Sequence, residues 1–504
     1  MVNTLPALVI IVPLLAALMV AAAGFIDKRA CFPVAVAALS VSFLGAAALL
    51  VQVVNTGLAI EYRFAGWAAP MGIVYVIDHL SALVLVVITA VSLVNLVSSK
   101  QTIHREFADK EGAFISLYVL FTAGLIGMTA TGDAFNLYVL LEIASLSGYA
   151  LIGLGKARAP LATLNYLFLG TIGATFYLLG VGYLYIATGS LNMADLAAIL
   201  PGMKDSGIVL FAFIIMLSGL FVKMALFPVH GWLPGAYSQS SSAAAGLIAP
   251  LTTKVTVYIM VRICLNLFSV DYTFHQLNVS DFLVWVAIAT IVFGSLSALA
   301  QTDYKKMLTY IIIAEVGYMV GGFFLGNRMG MSGAILHIVN DAVMTLCLFM
   351  AAGIFLWKTG SEERGDLKGL FGSMPFTMAG FVLAGLSIIG VPPTCGFFSK
   401  WYLVSGGIAA GQYAFVAALL FSSLVNAVLF FRLFEISYFE PFIDHHHGSD
   451  DGGGHGGAGA VIQEAPMAML VPFLFVSIML LVLGIYSGRI VTNIIHFAIP
   501  AGVI

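Results

Sequence analysis

The chain has 504 residues, 61% of them hydrophobic and 9% charged, with a mean hydropathy of +1.05. These values exclude a soluble globular protein, and a net charge of 21 − 24 = −3 offers no basic patch for nucleic acid. The sequence reads as an all-α polytopic membrane protein whose first partner is the lipid bilayer, because runs long enough to cross about 30 Å of hydrocarbon recur throughout.

In chain order the runs fall near residues 5–25, 31–54, 74–97, 112–131, 134–155, 161–187, 207–228, 241–265, 281–300, 306–325, 330–357, 375–408, 412–435 and 465–488, which is about fourteen spans. The first follows an uncharged "MVNTLP" without a basic n-region, so it is expected to be a retained span rather than a signal peptide. The seventh contains "LFVKMALFPVHGWLP" and is expected to break at Pro228. The twelfth is too long for one straight crossing and contains "GVPPTCG", so it is predicted to be broken too. Between the last two spans, Asp444 to Gly457 ("DHHHGSDDGGGHGG") reads as a disordered loop with no assigned role.

Loop charge sets the expected orientation. The odd-numbered loops carry twelve lysines and arginines between Lys28 and Lys368, whereas the even-numbered loops carry three, Arg63, Lys204 and Arg328. Both termini are therefore expected on the non-cytoplasmic side of the cell's inner (cytoplasmic) membrane. Cys31, Cys264, Cys347 and Cys395 lack CxxC spacing, so neither a disulfide framework nor a zinc site is expected. With no GxGxxG after a strand and no P-loop, the chain is expected to bind no cofactor and no metal.

Six basic side chains fall within or beside the spans: Lys223, Lys254, Arg262, Lys400, Arg432 and Arg489. The three arginines lie near span ends, where they can snorkel to the interface. Lys223, Lys254 and Lys400 lie deeper, and a lysine at the middle of a spanning helix costs about 2.5–3.5 kcal/mol. Each either pairs with a carboxylate to fix packing or works as a proton carrier whose affinity a movable partner adjusts. Glu142 in the fifth span and Glu315 in the tenth are candidate partners. Histidine suits proton exchange near neutral pH; His230 follows Lys223 by seven residues, and His337 lies one turn from Asp341. Asp78 and Asp133 lie near span starts, where helix capping accounts for them.

The lysine-bearing seventh and twelfth spans, like the glutamate-bearing fifth and tenth, are separated by five spans. Five is odd, so two copies would be inverted relative to each other, as in many secondary transporters. The corresponding division is 1–111 for spans one to three, 112–265 and 281–435 for two five-helix repeats, 436–464 for a His/Gly-rich cytoplasmic loop, and 465–504 for the last span.

The stretches "GDAFNLYVLLEIASLSGYALI", "KMALFPVHGWLPGAY" and "LTTKVTVYIMVR" closely resemble the antiporter-like membrane subunits shared by multi-subunit Na+/H+ (Mrp) antiporters, respiratory complex I and membrane-bound hydrogenases. The Mrp D subunit looks like the nearest relative, and the resemblance runs from about Asp78 to Lys400. It implies a proton-translocating fold of two inverted five-helix repeats with broken helices 7 and 12. It also implies that Glu142 modulates Lys223, that Lys254 lies at the centre of a hydrophilic axis, and that Lys400 is the exit residue. His230 matches the histidine of the HxWLP turn, and His337 the eleventh-helix histidine. In "HIVNDAVMTLCLF", Asp341 and Thr345 replace the histidine and lysine common in that family, and Glu315 stands where an amide or histidine is usual. The central relay is thus expected to run through Asp341 and Glu315 or through water. The implied partners are other membrane subunits, with protons, and sodium as a candidate second ion, as cargo. Two rivals stay open: an ion-pumping subunit of a redox-driven complex, and a scaffold that has lost transport.

Overall fold

The structure is a computed structural model that describes residues 4–439, 462–500 and 503. The expected loop at Asp444 to Gly457 lies outside the described residues.

Among the described residues, twelve helices are long and apolar enough to cross a membrane unbroken. They are α1 (Leu5–Ile26), α2 (Cys31–Thr56), α3 (His79–Ser98), α4 (Glu111–Ala130), α5 (Ala134–Gly153), α6 (Ala159–Thr188), α8 (Ser242–Arg262), α9 (Ser280–Leu299), α10 (Tyr304–Phe324), α11 (Arg328–Thr359), α13 (Tyr413–Phe439) and α14 (Met467–Ile490). Two further spans are broken: α7a (Gly207–Lys223) with α7b (Leu233–Gln239), and α12a (Pro375–Ile389) with α12b (Cys395–Ala409). Fourteen spans with breaks at the seventh and twelfth match the sequence reading.

Proline sets both breaks. Its ring collides with the carbonyl four residues back, which for Pro228 is that of Met224 and for Pro393 that of Ile389. α7a accordingly stops at Lys223 with Met224 as its C-cap, five residues before the proline at which the break was expected. α12a stops at Ile389.

An antiparallel hairpin lies between α2 and α3: β1 (Ile60–Arg63) pairs with β2 (Val74–Ile77), with Ile60 opposite Ile77. The third span was expected to begin at residue 74. Instead Val74–Ile77, β-branched and aromatic, form the strand, and helix begins after Asp78, which caps it.

Burial separates a centre from a rim. In their most apolar windows α8 and α10 are 94% buried, whereas α1 and α2 are 33% buried. On α13, exposed Leu420, Leu424, Val428 and Phe431 recur at helical spacing, the stripe expected of a surface facing lipid or another apolar chain. α6 and α7a approach closely at Gly173 and Gly219, where a Cβ on Gly219 would come within 2.4 Å of the Gly173 carbonyl oxygen. Lys254, Glu315, His337 and Asp341 all belong to the central helices α8, α10 and α11, so protein rather than lipid surrounds them.

Candidate functional site

The Lys223 ammonium, at the C-terminal end of α7a, donates to Ser145 Oγ at 2.7 Å and to the Tyr149 hydroxyl at 3.4 Å, both on α5. Glu142 lies one turn before Ser145 on that helix. No ion pair joins it to Lys223 among the described residues, and its Oε1 is buried without a hydrogen-bond partner. Two hydroxyls hold the lysine, with Glu142 one turn away on the same helix as both. Across the break, the Trp232 indole N–H donates to the Val222 carbonyl at 2.9 Å, which also accepts from the Ala225 N–H at 3.2 Å.

At the centre, Lys254 Nζ on α8 lies 2.8 Å from Asp341 Oδ2 on α11, with both side chains at most 2% exposed. Thr345 Oγ1 donates to Asp341 Oδ1 at 2.7 Å and lies 3.4 Å from the lysine. Glu315 Oε2 on α10 lies 3.5 Å from His337 Nε2, and His337 Nδ1 contacts Ser399 Oγ at 2.9 Å. One ligating atom from each of Glu315, His337 and Asp341 falls within a 4.8 Å cluster, the grouping among the described residues best placed to hold a metal. A small cavity opens against Glu315, Asp341 and Thr345.

Lys400 on α12b reaches back across its own break. Its ammonium donates to the Ile388 carbonyl at 2.6 Å, to Ile389 at 3.4 Å and to Ser423 Oγ at 3.1 Å. Gly390 caps α12a at φ +91°, and a Cβ there would meet Lys400 Cδ at 3.1 Å, so both backbone and lysine stem favour glycine.

A tyrosine ring accompanies each broken-helix lysine. Lys223 Nζ lies 5.9 Å from the Tyr149 ring centroid and Lys400 Nζ 5.2 Å from that of Tyr318. Both follow glycine, in "SGY" on α5 and "VGY" on α10. That Gly-Tyr pair, more than the Glu142 and Glu315 pairing read from the sequence, is the local feature that recurs at the two lysines.

The remaining candidates disperse. His230 packs between Phe227 and Phe293, with ring centroids 5.5 and 4.4 Å away. Asp133 caps α5 through the Asn136 N–H, and burial raises its carboxyl above the usual aspartate range. Asp78 caps α3 and also pairs with Arg262. Arg262 was expected to snorkel; its side chain is 14% exposed and carries this ion pair instead.

Two features were missed. Lys156 and Lys305, counted as loop charges, both contact Glu362, and Lys305 is buried on the first turn of α10 with its ammonium donating to the Ser240 carbonyl at 2.6 Å. A polar cleft lined by Asn95, Ser98, Ser99, Thr102 and Ser242 also reaches Phe349, whose ring walls the cavity beside Glu315 as well. No local motif marks either one; both need residues far apart in sequence.

The fold and this buried row define a polytopic helical membrane subunit with charged groups along its interior. The family described as "NADH:quinone oxidoreductase/Mrp antiporter, TM" matches residues 131–426, more than half of the chain, and the chain belongs to that family. It is 43% identical over 502 residues to the N subunit of the NADH-quinone oxidoreductase of Desulforudis audaxviator (strain MP104C), covering 98% of each chain. To the D subunit of the Na(+)/H(+) antiporter of Bacillus subtilis (strain 168) it is 31% identical over 439 residues, covering 86% of each. The antiporter likeness anticipated from sequence is therefore present, but the quinone oxidoreductase relative is more similar. Among solved structures, a chain of the membrane-bound sulfane sulfur reductase, an archaeal respiratory membrane complex, superposes with a TM-score of 0.86 at 31% identity, covering 97% of each chain.

Proposed function

We propose that this chain is a proton-translocating subunit of a multi-subunit membrane complex, in which other membrane subunits are its partners. The observation that carries this is the row that starts at half-buried Glu142 and runs through buried Lys223, Lys254, Asp341, Glu315 and His337 to Lys400, with Lys254 and Asp341 in contact at its centre. Protons are taken up near Glu142 and Lys223, cross by way of Lys254, His337 and buried water, and leave beside Lys400. The units 112–265 and 281–435 act as two inverted halves, and both termini face away from the cytoplasm. Replacing Lys223 with Ala tests the reading in vesicles that contain the whole complex: ion transport is lost, and transport at the wild-type rate would sink the mechanism.

Two host complexes fit this chemistry. In a cation/proton antiporter the proton gradient drives exchange against a cation such as sodium. In a redox-driven complex, electron transfer in partner subunits drives the pumping. The quinone oxidoreductase relative, matched over 98% of both chains, favours the second host. Purifying the complex separates them, since iron–sulfur or nickel subunits accompany the chain only in a redox-driven one.

A further inference from the structure

We propose that the Glu315 and Asp341 carboxylates share one exchangeable proton, which makes the centre of the row selective for protons and closes it to sodium. This rests on the reading of the row as a transport path and names the ion that its central site takes.

The two acids stand in unequal surroundings. Both Asp341 oxygens have partners, Lys254 on one and the Thr345 hydroxyl on the other. Both Glu315 oxygens are buried without a hydrogen-bond donor, and the side chain is 0% exposed. An ionised carboxylate left bare in a protein interior costs several kcal/mol, and two carboxylates at such close range do not both ionise.

The groups facing the pair are Lys254 from α8, Tyr318 from α10, His337 from α11 and Lys400 from α12b. Lys400 is engaged by the Ile388 carbonyl and Ser423. His337, on Ser399 through its other nitrogen, has Nε2 free to exchange with Glu315. The step is a proton transfer alone: the O–H bond at Glu315 breaks while an O–H bond forms at an Asp341 carboxylate oxygen or an N–H bond forms at His337 Nε2.

A sodium ion or a divalent metal would need oxygen ligands on several sides. The cavity supplies Glu315, Asp341 and Thr345, and the rest of its lining is apolar, including Leu308, Ile312, Leu348 and Ile388. A metal there would also confront the Lys254 ammonium already on Asp341.

Infrared spectroscopy of the reconstituted complex tests this without relying on turnover. A protonated carboxylic C=O stretch that shifts on transfer to D2O is expected in the wild type. It is lost in Glu315→Gln, retained in Glu142→Gln, and unmoved when sodium replaces potassium at constant ionic strength. Proton transport falls at least about tenfold in Glu315→Gln, and Glu315→Asp restores part of it. Absence of the band in the wild type, its survival in Glu315→Gln, or its loss on adding sodium overturns the proposal. The sodium exchange uses unaltered protein, so it decides the matter even if Glu315→Gln does not assemble. Wild-type transport in Lys223→Ala, by contrast, defeats the path and leaves the band as it was.

Discussion

Lys254 and Asp341, 341 − 254 = 87 residues apart in sequence, meet at 2.8 Å between α8 and α11, and both side chains are buried. Breaking such a pair from one side strands the other charge, at a cost of about 3–5 kcal/mol. Asp341→Ala is therefore expected to lower stability by that amount, whereas Lys254→Ala with Asp341→Ala recovers part of the loss. Thermal unfolding of the solubilised complex, read as a double-mutant cycle, checks this; additive losses would show that the two charges are independent.

The hydroxyls around Lys223 should rank by distance. Ser145 accepts at 2.7 Å and Tyr149 at 3.4 Å, and a hydrogen bond to a charged group contributes about 1.5–3 kcal/mol. Ser145→Ala is expected to slow proton transport about tenfold or more, and Tyr149→Phe by less. Rates measured in vesicles that order the other way would remove Ser145 as the main support of the lysine.

Glu362 compensates Lys156 and Lys305 together. Glu362→Gln should lower stability by about 2–3 kcal/mol, discounted because Lys156 is partly exposed. The exposed neighbour Glu363 changed to Gln should stay within about 0.5 kcal/mol. Similar melting temperatures for the two variants would show that the cluster contributes nothing.

Asp78 couples the start of α3 to the end of α8 through Arg262. Burial alone would raise its carboxyl, but the Arg262 guanidinium and the Ser81 hydrogen bonds outweigh it and hold the group below its ordinary value of 3.8. A lowered native value means that the stabilisation is complete above the unfolded value and drains away as pH falls through the native one. Asp78→Asn should thus flatten the acid side of the stability profile below about pH 4 and lower the plateau above it. Melting curves at stepped pH measure both.

Much of this was legible in the sequence because bilayer thickness and proline geometry act locally. Span length is set by hydrocarbon depth, and each break by a proline's collision with a carbonyl four residues away, so both survive without tertiary knowledge. The deep lysines were visible for the same reason: a charge inside an apolar run needs no partner to be conspicuous. What each lysine touches was not visible. Ser145 beside Lys223, Thr345 beside Asp341 and Glu362 beside Lys305 are ordinary polar residues until the helices pack. Arg262 looked like an interfacial arginine because its partner, Asp78, had already been explained as a cap.

The Lys400 ammonium fastens the loose end of α12a, holding the Ile388 and Ile389 carbonyls from the far side of the interruption. Electrical state and helix shape are therefore one variable at this point. If losing the charge loosens the fastening, then by reciprocity anything that tugs on α12a must alter how tightly Lys400 keeps its proton. α12a packs on α14, where Gly380 abuts Phe473 and Ser477. A strain applied to that last helix can thus be converted into chemistry at Lys400 without any ion passing between the two.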